Sequence, residues 1–133
     1  MGRLTIFLAR SLGLFMLLLV GCLLMRGGSS IQASVSDGPV LLSYAIISLA
    51  VGVAMVVGHN VWTGGALPII VTLVGWLVLA KGIVLLLLPS AALSAMMDQM
   101  HYEEHYWRYL TPAFILGLYL TWAGFTAKAD SGR

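Results

Sequence analysis

Two groups of side chains in this 133-residue chain have the types and spacing for chemistry. His101-Tyr102-Glu103-Glu104-His105 fits H-x-x-E-H, the reverse of the H-E-x-x-H zinc motif. On a helix, His101 and His105 would share a face and could hold a metal, with Glu104 beside them as a base and Asp98 on the same side. The inverted zinc enzymes need a further carboxylate ligand, and the short remaining chain supplies no identifiable one. A different pattern runs through the same stretch: Leu93, Met96, Met97, Met100 and Trp107 recur at helical spacing after Pro89, with Ser90 placed as a cap. That pattern predicts an amphipathic helix over 90–107 lying on the outer membrane interface, its histidines and acids solvated and no metal required.

The second group centres on Lys81, inside the apolar run LPIIVTLVGWLVLAKGIVLLLL from Leu67 to Leu88. A lysine at bilayer depth costs about 2.5–3.5 kcal/mol on insertion scales, so its presence asks for a reason. Either its stem covers apolar surface while the ammonium reaches outward to Tyr44, Ser48 or a loop carboxylate, or the charge faces an anionic substrate or an ion inside a bundle. No Asp or Glu lies within any apolar segment, so the carboxylate common in proton-coupled carriers is missing. Arg10 reads as an anchor whose guanidinium reaches the inner interface.

The segments that carry these residues are set by composition. With 60% hydrophobic residues, 9% charged and a mean hydropathy of +0.98, the chain has too much apolar surface for a soluble fold of its length. Lipid requires every backbone polar group to be satisfied, and the lack of β-type alternation selects helices over a barrel. The expected fold is all-α, a four-transmembrane-helix bundle forming a single integral membrane domain, residues 1–133, with spans at about 4–25, 40–62, 67–88 and 109–127. RGGSSIQASVSDGP reads as a Gly/Ser-rich loop ending in the helix-start signal Asp37-Gly38-Pro39. Thr63-Gly64-Gly65 ahead of Pro68 predicts a tight hairpin between the second and third spans.

Arg3, Arg10, Lys128 and Arg133 flank the outer segments of the chain, whereas the loops at 26–39 and 89–108 balance Arg26 and Arg108 against Asp37, Asp98, Glu103 and Glu104. The positive-inside rule therefore puts both termini and the 59–66 hairpin in the cytoplasm. Ala50, Ala54 and Gly58 in the second span, Ala113, Gly117 and Thr121 in the fourth, and Gly75 and Gly82 in the third are the expected packing faces. Leu19-Val20-Gly21-Cys22 resembles a lipoprotein signal peptide, but Leu-Leu-Met continues the apolar run, so an uncleaved first helix is expected. A lone cysteine excludes an internal disulfide, and no basic cluster with interleaved aromatics points to nucleic acid.

Gly58-His59-Asn60-Val61-Trp62, followed by Gly75-Trp76 and Lys81-Gly82 and ending at Pro89, resembles an H-N-x-W, G-W, K-G pattern of uncharacterised small bacterial multi-span integral membrane proteins. The resemblance covers about residues 41–89 and implies a bacterial inner-membrane protein, without supplying an activity. It marks His59, Asn60, Trp62, Trp76 and Lys81 as the candidate functional or ligand site. Read physically, His59 and Asn60 belong to a polar helix end at the inner boundary and Trp62 to an interface anchor. The expected function is an accessory or structural membrane protein, without enzymatic activity or cofactor, working in the lipid bilayer with a membrane-protein partner or as a homo-oligomer. The alternatives are a small transporter or channel subunit using Lys81, and a metal-binding outer loop at His101 and His105.

Overall fold

The structure is a computed structural model that describes residues 2–128, and among these six helices are the only regular elements. They are α1 (Arg3–Arg26), α2 (Gly28–Ser36), α3 (Gly38–Gly58), α4 (Ala66–Leu87), α5 (Ser90–Gln99) and α6 (Tyr102–Thr126). Three of them, α1, α3 and α4, are long and apolar enough to cross a membrane. Arg133, part of the charge asymmetry, lies outside the described residues.

Local signals start and stop these helices much as chain chemistry dictates. The Asp37 carboxylate accepts the Val40 N–H at 3.3 Å and Pro39 sits in the first turn of α3, where its missing donor costs nothing. Gly64 and Gly65 turn the chain at φ 89° and 115°, a region closed to most side chains, and so connect α3 to α4. Pro89 precedes α5, and Ser90 begins it without making a side-chain cap bond.

Four features depart from expectation. The Gly/Ser-rich stretch after α1 is helical, because Ile31 and Val35 fall on one face of α2 and line the bundle while Ser34 and Ser36 return their hydroxyls to the carbonyls of Ser30 and Gln32. The second apolar segment ends as a helix at Gly58, and 59–65 is irregular. The expected helix over 90–107 is broken at His101, which sits in the left-handed region at φ 49°. The fourth apolar segment, expected over 109–127, begins as a helix at Tyr102, carries Glu103 and Glu104 in its first turn and Pro112 inside, and is not among the three apolar enough to span by composition.

The helices associate as two antiparallel pairs, α3 with α4 and α1 with α6. In the first pair Gly52 lies against Leu79, Gly75 against Met55, and Gly82 against Leu49. In the second, Gly13 lies against Thr121, Gly117 against Met16, and Gly124 against Arg10. Small residues let each pair close to backbone contact, the packing mode suited to a solvent as apolar as leucine. On α3, however, the face used is Leu41, Ala45, Ser48, Gly52 and Met55, and the expected stripe Ala50, Ala54 and Gly58 points away from α4.

The two pairs meet in a shared core at the hairpin end. Ala9, Met55, Leu67, Val71, Val74 and Leu120 form a buried core near the 59–65 turn, the hairpin end. At the other end α2 and α5 lie across the helices as a cap, with Gly28 of α2 against the Glu103 backbone. From Leu4 and Gly58 at the hairpin end to Arg26 and Ser34 at the capped end, a groove of about 1210 Å³ runs between α1 and α3.

Candidate functional site

His59 is 3% exposed and ties three elements together at the hairpin end. Its Nδ1 lies 3.2 Å from Thr72 Oγ1 on α4 and its Nε2 lies 2.9 Å from Thr5 Oγ1 on α1. The Thr72 hydroxyl donates its one proton to the Val61 carbonyl at 2.9 Å and accepts the Val61 N–H at 3.0 Å. Its remaining lone pair accepts from His59, so Nδ1 carries a proton, while Nε2 pairs with the Thr5 hydroxyl. Both imidazole nitrogens are thereby engaged, and Thr72 is saturated. Neither threonine was marked by the sequence, since a threonine in an apolar helix most often bonds its own preceding turn.

Asn60, Trp62 and Trp76 do come together, but apart from His59. The Asn60 Oδ1 accepts the Trp62 indole N–H at 2.7 Å and lies 3.5 Å from that of Trp76. Both indoles stay exposed, Trp62 by 51% and Trp76 by 44%. The arrangement folds the connection back onto α4 and holds two aromatic rings at the molecule's surface, as interface anchors are held.

Lys81 belongs to neither cluster. It follows Thr72 by nine residues, about 13 Å along α4, toward the capped end. Its Nζ lies 5.0 Å from the centre of the Tyr44 ring, and Tyr44 is one turn nearer the capped end of α3 than Ser48, which Gly82 touches. The ammonium is thus drawn toward that end over an aromatic face, in cation–π contact. Lys81 also lines the groove, where Arg26 is the other charged side chain and no Asp or Glu is found among the described residues.

Arg10 is held at the hairpin end. Its Nε donates to the Gly124 carbonyl at 2.8 Å and its guanidinium lies 4.9 Å from the centre of the Phe125 ring. The residue expected to anchor α1 at the interface fastens α1 to the last turn of α6.

The H-x-x-E-H stretch lacks the shared helical face that a zinc pair needs. His101 precedes α6 in the left-handed conformation, and His105 interrupts it at φ −116°, ψ 17°. Their Nδ1 atoms lie against backbone carbonyls, His101 at 3.2 Å from Gln99 and His105 at 3.4 Å from His101. Asp98 accepts a hydrogen bond from the Gln32 side chain of α2. Asp98, His101 and Glu104 line one shallow cleft of about 360 Å³ at the capped end, while His105 is outside it. Among the described residues no three His, Cys, Asp or Glu side chains are grouped to hold a metal.

Cys22 is exposed on an α1 that continues unbroken to Arg26. No known family model matches the chain, and neither curated proteins nor solved structures provide a match.

Proposed function

We propose that this chain is a four-span protein of the bacterial inner membrane, of the multi-span kind its H-N-x-W, G-W and K-G letters resemble, serving an accessory or structural role toward a membrane-protein partner or a second copy. The observation that carries the reading is how the candidate polar residues are used. Both His59 ring nitrogens and the Asn60 Oδ1 are engaged in joining α1, the turn and α4, and no buried side-chain nitrogen or oxygen among the described residues lacks a partner. Side chains so engaged hold a fold together and are poorly placed to act on a substrate.

Several features support α6 as the fourth span. It runs antiparallel beside α1 from Tyr106, whose hydroxyl donates to Leu24 at 3.4 Å, to Gly124 beside Arg10. Tyr102, Tyr106, Trp107 and Tyr109 gather at its capped end and Trp122 and Phe125 lie at its hairpin end, in the manner of interface belts, with Phe114 and Tyr119 between them. Its acids and Arg108 lie in the first two turns, leaving residues 109–126 free of charge. With four spans, both termini and the hairpin share one side, which positive-inside bias makes cytoplasmic.

The second reading, a small transporter or channel subunit, draws on Lys81 lining an open groove. Labelling and reconstitution decide between the parts of this proposal. Single cysteines at Ser29 and at Ala66, in a Cys22→Ser background, should react with an impermeant reagent in intact cells and only after lysis, respectively; the reverse pattern would overturn the orientation. Crosslinking in native membranes should give a stoichiometric product with a partner or a second copy. Anion flux in liposomes that Lys81→Met abolishes would place the transporter reading first.

A further inference from the structure

We infer that the groove between α1 and α3 is a binding site for one membrane lipid with an anionic phosphate headgroup, held by Lys81 and Arg26. The inference rests on reading these helices as membrane spans. Its first support is how polarity is distributed along the groove. Arg26, Ser30 and Ser34 line it near the α1–α2 junction, Tyr44 and Ser48 line it from α3, and Lys81 from α4. Toward the hairpin end the wall is Phe15, Leu12, Val51, Met55 and Val74, with Ser11 the polar exception. One polar end and one long apolar end match an amphiphile rather than a compact polar solute, and the volume of about 1210 Å³ exceeds the usual 300–1,000 Å³ of sites for drug-sized molecules.

Charge selects the headgroup. The lining carries two cations and no carboxylate, so a phosphate finds attraction without an opposing acid, whereas a zwitterionic headgroup brings an ammonium that the same cations repel. Depth agrees as well. Lys81 lies six residues, about 9 Å, below the final residue of α4, and its contact with Tyr44 shows the stem turned toward the capped end. The ammonium is thereby raised toward the level at which lipid phosphates lie, with N–H donors left to offer. A lipid seated there would also cover side chains that the protein leaves open, among them Phe15 at 62% and Ile47 at 62% exposure.

The full chain, reconstituted in bilayers of equimolar phosphatidylglycerol and phosphatidylcholine and released into the gas phase, tests this by the lipid it retains. The expected result is one phosphatidylglycerol retained per chain in preference to phosphatidylcholine, with the preference falling roughly fivefold in Lys81→Met or Arg26→Gln and more than tenfold in the double variant. Arg108→Gln, which removes a capped-end charge outside the groove, should keep the preference. Equal retention of both lipids by the wild type, an undiminished preference in the double variant, or a second polypeptide in the groove in place of lipid would each overturn the inference. Cysteine labelling on the same preparation separates this from failure of the four-span reading, since a protein with correctly sided Ser29→Cys and Ala66→Cys and no lipid preference refutes the lipid site alone.

Discussion

Thr72 serves three partners with one hydroxyl: the His59 ring and both backbone groups of Val61. Thr72→Val keeps the shape and strands all three in a site where Thr72 is 1% exposed. A loss of about 1–3 kcal/mol is expected in reversible unfolding in mixed micelles, with Thr5→Val costing less because it removes a single bond. Equal costs would refute the bonding pattern. Lys81→Met should leave the fold intact and neutral to more stable, by up to about 2 kcal/mol, because it keeps the stem's volume and removes a charge from bilayer depth. A variant that fails to insert would show the ammonium to be structurally required. These two residues also differ in how far sequence exposes them. A lysine inside an apolar helix has few ways to meet water or an aromatic face, so Tyr44 could be named as a partner in advance. Nothing in the letters brings residue 61 over residue 72, since that depends on how an irregular loop folds back across a turn.

Among the helices, packing separates glycines that look alike in sequence. A Cβ on Gly52 would collide with the Leu79 backbone, whereas one on Gly58 would meet nothing within 4 Å. Gly52→Ala should therefore force α3 from α4 and cost about 1–3 kcal/mol, while Gly58→Ala should be nearly neutral, again by unfolding in micelles. The reverse order would mean that α3 packs on the face with the more regular small-residue spacing. That spacing misled because small-xxx-small repeats are common in apolar helices and which one meets a partner is decided by rotation about the helix axis. Strong local punctuation was legible: Asp37-Gly38-Pro39 and Gly64-Gly65 mark the starts of α3 and α4 through side-chain capping and backbone freedom. Weak punctuation was not, as α2 and the break at His101 depend on the α2–α5–α6 contacts at the capped end rather than on local propensity.

Viewed as a whole, the molecule has its shared core at the hairpin end and a groove between α1 and α3, and this arrangement was hidden from the sequence because helix count and span length say nothing of how the helices pair. Its pairing also has an order in time. The α3–α4 hairpin joins neighbours across a short turn and can form as soon as both are synthesised, but α1 takes as its main partner α6, which is made after the hairpin. During translation Gly13 has no Thr121 beside it, and the Arg10 guanidinium has no Gly124 carbonyl to bind. Made before the hairpin, α1 therefore finds its main partner only after the hairpin is complete. Until the ribosome reaches the C-terminal turn of α6, the nascent chain holds a finished hairpin and an unmatched α1 bearing a charge, the state in which an insertion factor or a quality-control protease would meet it.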